Sequence, residues 1–348
     1  MMFSLARESR GLTQSELASR VGVKQGTISK IENGSLEPPA DLVEKFASAL
    51  GYPARLFSHP IEPRNLPVTF YRKRKSLSAT ATKRIEAALN LRRLHLITLL
   101  RAVDVPENRV PSVDLSEHCY ASAREVAREL RVRWHVPRGP IQNLTNLLES
   151  IGILVVRCDF GSSLVDGISI YEKRDHLPPV IFVSQSLPTD RMRFTLAHEL
   201  AHIVLHHHMT LPPDEAEEEA DALASEFLMP ASDIRGHLTR VTVQSAIQLK
   251  SHWRVSAAAI IMRAASLGRI NQRQKQYLFM QLGQLGYPSN EPGPLSPEEP
   301  TLVSEIVSFH LTDLGYDDRS LSDALMLTLD EFREQYRQPS NGLRVVRS

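Results

Sequence analysis

The stretch from Phe194 to Pro230, FTLAHELAHIVLHHHMTLPPDEAEEEADALASEFLMP, concentrates side chains that could bind a metal ion. His198 and His202 flank Glu199 in an HExxH pattern. On a helix the two histidines lie on one face, about 40° apart in projection, so both rings can reach one zinc ion. Glu199 lies about 100° round from His198, where it can take a proton from water instead of binding the metal. The pattern therefore indicates metal-assisted hydrolysis.

The helix that carries this pattern is apolar on nearly every side. Its apolar residues are Leu196, Ala197, Leu200, Ala201, Ile203, Val204 and Leu205. Two histidines and a glutamate in such a helix are costly to bury without a partner, and a metal ion supplies one. The alternative is that they are core residues satisfied by hydrogen bonds alone.

A third ligand is expected from the acidic run that follows. At about 100° per residue, Glu217 falls within the apolar side of the next helix and Asp221 lies at its border. That apolar side consists of Ala220, Leu223, Ala224, Phe227 and Leu228. The same projection points Glu218, Glu219 and Glu226 away from it. We therefore predict Glu217 as the ligand, and Asp221 as the acceptor of a hydrogen bond from a ligand histidine.

His206, His207 and His208 continue the run of histidines. His206 lies about 12 Å from His198 along the helix axis, too far for one ion to hold both. The three are predicted to form a solvated helix end, not a second metal site.

The blocks RFTLAHELAH and EEEADALASEFLMP resemble the ImmA/IrrE family of zinc metallopeptidases, over about Ala121 to Arg240. The Leu-Met-Pro ending is typical of that family. The resemblance implies an α+β zincin-like domain that holds one Zn²⁺ per chain. Its ligands would be His198, His202 and Glu217, as in gluzincins, with Glu199 as the general base.

The N-terminal segment GLTQSELASRVGVKQGTISKIENG, Gly11 to Gly34, contains two short helices joined by a glycine turn. Thr13 and Glu16 form a capping box that starts a helix at Gln14. Gly22 permits a tight turn, and a second helix starts near Lys24. This is the helix-turn-helix arrangement. Only ten residues precede Gly11, so the first helix is expected to be small or to begin before the given start.

This segment resembles the Cro/C1-type (Xre-like) helix-turn-helix. The resemblance implies that the helix from Gln25 enters the major groove of double-stranded DNA at an operator-like site. Gln25 and Lys30 would then face base edges, and a glutamine can read adenine with two hydrogen bonds. The residues expected near phosphates are Gln14, Lys24, Thr27 and Asn33. Gly26 departs from the pattern because it offers no reading side chain. The alternative is a plain helical bundle used for dimerisation.

The length of 348 residues predicts two or three domains in a mainly α, multidomain chain. The boundaries that we predict are 1–58 for the helix-turn-helix bundle, 59–118 for a linker and a basic amphipathic helix, 119–236 for the metallopeptidase, 237–285 for a helical, helix-turn-helix-like segment and 286–348 for a helical C-terminal segment. The second such motif would pivot at Trp253–Ser256, although its apolar surface suits packing at least as well.

Three short apolar stretches, GILVVRCDF, DGISIY and PVIFVS, predict a small antiparallel sheet ahead of the HExxH helix at 190–207. A further helix is predicted at 214–228. Between Arg72 and Arg101 lie nine basic residues and a single acid, with apolar residues at Ile85, Leu89 and Leu96. That pattern predicts the basic amphipathic helix. The run RKRK at 72–75 could contact phosphates or form a solvated face.

The composition is that of a soluble globular protein, with 42% hydrophobic and 23% charged residues. The net charge of +1 gives no global bias toward nucleic acid. No apolar stretch is long enough to cross a membrane, and the N-terminus lacks the apolar core of a signal peptide. The two cysteines, Cys119 and Cys158, have no CxxC spacing, so a reducing cytoplasm is expected.

The combination of motifs predicts a DNA-binding transcriptional regulator with zinc-dependent endopeptidase activity. Its protein substrate is expected to be a repressor-type regulator in a stress or mobile-element response, and the chain could form a homodimer. Two alternatives remain at this point. The peptidase-like domain could be a non-catalytic sensor of metal or of a partner, or the protein could be a component of a toxin-antitoxin type of system.

Overall fold

The computed structural model describes residues 2–60, 77–115, 122–171, 177–207, 212–287 and 290–337. Within these residues the protein is mainly helical, with one small sheet. The basic run 72–75, His208 and Cys119 lie outside the described residues. No helix in the described part of the chain has the length and apolar character needed to span a membrane.

The N-terminal bundle forms from short amphipathic helices that share one core. Its helices are α1 (Met2–Ser9), α2 (Gln14–Val21), α3 (Gln25–Glu32) and α4 (Ala40–Leu50), followed by a 3-10 turn, Ala54–Ser58. The predicted capping box of Thr13 and Glu16 is present at the start of α2. Gly22 ends α2 with φ of 74°, a left-handed conformation that glycine adopts without steric cost. The helix-turn-helix arrangement predicted from the sequence is thus confirmed.

A long helix, α5 (Ala79–Leu100), joins the bundle to the rest of the chain. Ile85, Leu89 and Leu96 pack against the sheet and the C-terminal helices, whereas Leu91 and Leu94 pack against the N-terminal bundle. The helix therefore has two buried sides. The helix expected from the sequence is present, and its apolar residues lie on two sides because it packs against two different partners.

The sheet contains, among the described residues, β1 (Leu154–Cys158), β2 (Gly167–Ile170) and β3 (Val180–Ser184) in the order β1-β3-β2. β2 pairs antiparallel with β3, as predicted, but β1 pairs parallel with β3. The sheet is therefore mixed instead of antiparallel. The reason is that β1 and β2 run in opposite directions and β3, whose five residues are all buried, lies between them, so β3 must be parallel to one of the two.

The helices around this sheet position the candidate site. They are α6 (Ala123–Arg133), α7 (Leu144–Ser150), α8 (Thr189–Leu205), α9 (Pro213–Leu228) and the short α10 (Ala231–Ile234). α8 packs against β2, β3 and α9, and most of its residues are buried. Arg193, within α8, is fully buried and pairs with Glu298, which also accepts hydrogen bonds from the first amides of α7 at Leu144 and Thr145. This pairing holds α8 in place.

The remaining helices are α11 (Val243–Trp253), α12 (Ala257–Ser266), α13 (Gln272–Gln284), α14 (Leu302–Thr312), α15 (Asp318–Ala324) and α16 (Leu329–Tyr336). α11 and α12 form the second helix-turn-helix-like pair, with Arg254 in a left-handed conformation at the turn. Ile260, Ile261 and Ala264 of α12 lie in the main core. The apolar surface of α12 therefore serves packing.

The C-terminal helices contact both the sheet and the N-terminal bundle. Met326 belongs to the core of the bundle. Arg10 pairs with Glu331 at 2.5 Å, and Arg55 pairs with Asp323 at 2.8 Å. The bundle is therefore braced by α5 on one side and by α15 and α16 on another.

Candidate metal centre and nucleic-acid interface

Three buried side chains from α8 and α9 converge on one point. His198 Nε2 lies 3.1 Å from His202 Nε2. Glu217 Oε2 lies 3.6 Å from His198 Nε2, and its Oε1 lies 3.4 Å from His202 Nε2. Among the described residues, His198, His202 and Glu217 form the group whose donor atoms could share one metal ion. These are the three ligands predicted from the sequence, now brought together by two neighbouring helices.

The geometry of these three side chains fits a small divalent ion. Ligands at about 2.0–2.1 Å from a tetrahedral zinc stand about 3.3 Å from one another, which is close to the spacing of the two Nε2 atoms and to the spacing of each Nε2 atom from one oxygen of Glu217. Two imidazole nitrogens and a carboxylate oxygen are the donor types that zinc prefers. Because the other nitrogen of each ring faces a hydrogen-bond partner, the converging Nε2 atoms can present lone pairs to a cation.

Glu217 lies on the buried side of α9, as its helical projection predicts, and is 9% exposed. Burial raises the pKa of its carboxyl, but hydrogen bonds and charge from His198 and His202 outweigh burial and hold that pKa well below its usual range. Glu217 is therefore ionised at neutral pH, the form in which a carboxylate binds a metal.

Asp221 lies one helical turn after Glu217. Its Oδ1 is 2.9 Å from His198 Nδ1, while 58% of its side chain remains exposed. A hydrogen bond from Nδ1–H to this carboxylate directs the lone pair of His198 to Nε2. Asp221 thus makes contact with a candidate ligand histidine, and its role in orienting that histidine stays a prediction.

Glu199 is buried beside the two histidines but is absent from the group of converging donors. Its Oε2 accepts a hydrogen bond of 2.8 Å from the hydroxyl of Ser169 on β2. A carboxylate that stands next to a metal position without sharing it can act as a proton acceptor. Ser169 was missed by sequence reasoning, because nothing in the sequence of β2 indicates which residue faces α8.

The prediction that His206 belongs to a solvated helix end is wrong. His206 is 8% exposed, its Nδ1 lies 2.9 Å from His202 Nδ1, and its Nε2 lies 2.9 Å from Glu219 Oε2. Glu219 consequently faces the site, whereas the helical projection turned it away. The projection of α9 alone could not show this contact, because His206 comes from the C-cap of another helix, α8. His207 is half-buried and stacks on Tyr171.

Glu226 is also placed wrongly by the projection. It is 1% exposed, forms a short pair with Arg263 and accepts a 3.0 Å hydrogen bond from Arg128. Arg263 lies on α12, which covers the face of α9 that the projection had assigned to solvent. Its guanidinium group neutralises the buried carboxylate of Glu226. Glu218 is exposed, as predicted.

The second candidate surface belongs to the N-terminal bundle. The residues predicted near DNA all have exposed or half-buried side chains. These residues are Gln14, Lys24, Gln25, Thr27, Lys30 and Asn33. Gln25 Nε2 donates a 2.6 Å hydrogen bond to Gln14 Oε1, and Gln14 Nε2 donates to Glu32 Oε2 at 2.8 Å. Gln14 therefore orients the end of the Gln25 side chain. The C-terminal helices contact α4, the 3-10 turn and Arg10, and among the described residues the start of α3 stays exposed at Lys24 and Gln25.

Comparisons with known proteins match the two regions separately. The family described as helix-turn-helix matches residues 4–57. The family described as the IrrE N-terminal-like domain, peptidase family M78, matches residues 148–265. An uncharacterized HTH-type transcriptional regulator of Methanothermobacter thermautotrophicus is 49% identical over 53 residues, which are 14% of this chain and 77% of that protein. The candidate metal centre lies within the second match.

Proposed function

Because the chain belongs to the Cro/C1-type helix-turn-helix family at its N-terminus and carries an IrrE N-terminal-like peptidase domain at 148–265, we propose that it is a DNA-binding regulator that hydrolyses a protein. The observation that carries the proposal is the convergence of His198, His202 and Glu217 beside a separate carboxylate, Glu199. The proposed ion is Zn²⁺, one per chain.

In the proposed mechanism, the chain's residues divide between holding an ion and moving a proton. With Zn²⁺ bound, the site would supply Lewis-acid polarisation of a peptide carbonyl and of a water molecule. Glu199 accepts the proton of the attacking water and later delivers it to the leaving amine. Ser169 holds one oxygen of Glu199 by its 2.8 Å hydrogen bond, so that the carboxylate is oriented before substrate arrives.

The DNA-binding bundle defines where this chemistry would act. Its packing against α5 and its ion pairs to α15 and α16 link the bundle to the peptidase region. Binding at an operator would then bring the peptidase to proteins on the same DNA. A repressor-type regulator is the substrate class that we propose, since such a protein occupies operator sites.

The experiment compares the full chain, loaded with zinc, with a Glu199→Gln variant. Both are incubated with protein extract of the source cells, and new protein N-termini are labelled and identified. We expect new termini in a DNA-binding protein with the wild type and none with Glu199→Gln, which should retain zinc and DNA binding.

A regulatory readout in cells separates the enzyme from a sensor. If a reporter of the regulated promoter responds normally in Glu199→Gln cells but not in His198→Ala cells, the metal is structural or sensory and the peptidase proposal is wrong.

A further inference from the structure

His206 and Glu219 form a buried connection to one of the proposed ligands. His206 Nδ1 lies 2.9 Å from Nδ1 of His202, and its Nε2 lies 2.9 Å from Glu219 Oε2. The side chain of His206 is 2% exposed and that of Glu219 is 32% exposed. Both ring nitrogens of His206 are thus used for hydrogen bonds, and neither faces the convergence point of the three donors.

The direction of these hydrogen bonds follows from the position of His202. Its Nε2 faces Glu217 and His198, so a metal ion bound there requires the lone pair of His202 on Nε2 and its proton on Nδ1. Nδ1–H of His202 then donates to Nδ1 of His206. That nitrogen of His206 must be the acceptor, so its proton sits on Nε2 and donates to Glu219. One consistent arrangement of protons satisfies every contact.

We propose that His206 and Glu219 are a positioning pair that fixes the tautomer and the ring orientation of His202 for metal binding. The inference rests on the proposed metal site. Under this proposal each histidine ligand is oriented by a carboxylate. Asp221 contacts His198 directly, and Glu219 contacts His202 through His206. α9 therefore provides a ligand, Glu217, together with the anchors of both histidines.

A purely structural role of His206 would not explain its two hydrogen-bond contacts. Filling space at the end of α8 needs neither the two 2.9 Å contacts nor an acid at the far end of the ring. An imidazole that is hydrogen-bonded outside the ligand set is oriented and made more basic, and loss of such partners weakens metal binding about 10- to 100-fold. The pair is therefore expected to act on affinity.

The test measures zinc affinity of the full chain by competition with a chromophoric chelator. His206→Ala and Glu219→Ala should each weaken zinc binding about 10- to 100-fold. Glu218→Ala is the matched control, because Glu218 is an exposed acid beside Glu219 on α9, and it should bind zinc like the wild type. His206→Asn keeps an acceptor near the Nδ1 position, so it should recover part of the affinity lost in His206→Ala.

Nitrogen-15 spectra of the histidine rings provide a readout that packing alone does not move. In the zinc-loaded wild type, His202 should carry its proton on Nδ1, with the shift of a hydrogen-bonded N–H, and this shift should change in Glu219→Ala.

Wild-type affinity in folded Glu219→Ala, together with an unchanged His202 shift, overturns the inference while the metal site stands. If His206→Ala does not fold, His206→Asn and Glu219→Ala still decide. Failure of the wild type to bind zinc at all would overturn the proposed metal site itself.

Discussion

The hydroxyl of Ser169 donates a 2.8 Å hydrogen bond to Oε2 of Glu199, and both side chains are buried. The bond joins the edge strand β2 to the helix that carries the candidate metal ligands. It fixes the carboxylate of Glu199 without placing any further group among the converging donors. The orientation of the proposed general base therefore depends on the sheet as well as on its own helix.

Replacing Ser169 by alanine should lower kcat for peptide hydrolysis about 10-fold, with little change in KM or in zinc content. The reason is that a hydrogen bond to a charged group contributes about 1.5–3 kcal/mol, and a tenfold rate change corresponds to about 1.4 kcal/mol. Ser169→Thr keeps the hydroxyl and should retain most of the activity. Equal activity of Ser169→Ala and wild type would show that Glu199 needs no such support.

Gly167, two residues earlier on β2, allows the strand to approach α8 closely. A Cβ atom there would lie 2.5 Å from Cγ2 of Thr195 and 3.2 Å from Cγ of Glu199. Gly167→Ala should therefore destabilise the protein by about 1–3 kcal/mol, because the core must shift to accept the methyl group. Denaturant unfolding measures the loss. Adding Thr195→Ser removes Cγ2 and should recover part of it, and absence of recovery would place the strain elsewhere.

The local sequence pattern was sufficient where a single helix decides the position of a side chain. The capping box of Thr13 and Glu16 needs local spacing alone, and the buried side of α9 that contains Glu217 follows from helical periodicity. It failed where a distant segment supplies the partner. Glu226 is buried because Arg263, 37 residues later, packs against it.

Partners from distant segments also explain why the strand pairing and the position of His206 were predicted wrongly. Each strand was recognised by its apolar residues, but the parallel pairing of β1 with β3 depends on which strand takes the centre. His206 was judged by its distance from His198. Its actual partner is His202, through the Nδ1 atom that faces away from the ligand set. Helical periodicity places a side chain on a face but does not specify which atom of its neighbour it meets.

Metal content should separate Glu217 from its neighbour Glu218. Purified wild type is expected to contain about one zinc per chain, as in catalytic sites with three protein ligands. Glu217→Ala should lose most of the metal, because it removes the carboxylate that faces both histidines. Glu218→Ala should retain it, since that side chain is exposed. Elemental analysis checks both variants, and similar losses in the two would contradict the assignment of Glu217.

Acid should destabilise the protein through His95, which lies buried on α5 with Nδ1 3.0 Å from the hydroxyl of Tyr336. Burial, with a smaller effect of Arg92, lowers the pKa of His95 to about 3 from an ordinary value of 6.5. The unfolded chain therefore binds a proton between these two values while the folded chain does not. Stability from neutral His95 is complete above about pH 6.5 and falls as the pH drops toward about 3.

The measurement is the free energy of unfolding from pH 7 to pH 4 for wild type and His95→Phe. The wild type should lose up to about 1.4 kcal/mol more per pH unit in this window than the variant does. His252→Gln, which changes an exposed histidine, should follow the wild type. Parallel pH profiles of wild type and His95→Phe would show that His95 is protonated in the folded state or contributes nothing.

DNA recognition should divide between Gln25 and Lys24 at the start of α3. Gln25 is exposed, and Gln14 holds its amide by a 2.6 Å hydrogen bond, which leaves a directed group for a base edge. Gln25→Ala should relax the preference at one or two base pairs and cost about 1–3 kcal/mol on the preferred site. Lys24→Ala should weaken binding to all sequences alike and reduce the salt slope by about one.

The preferred site is first selected from a random DNA pool, and affinities are then measured by fluorescence anisotropy over a range of salt concentrations. Arg55→Ala is the matched control for Lys24→Ala, because Arg55 is a basic residue that pairs with Asp323 on the side facing the C-terminal helices. It should leave both the affinity and the salt slope unchanged. Full-strength binding by a chain that lacks residues 1–58 would indicate that α11 and α12 bind the DNA instead. The burial of Ile260 and Ile261 in the core argues against DNA binding by α12.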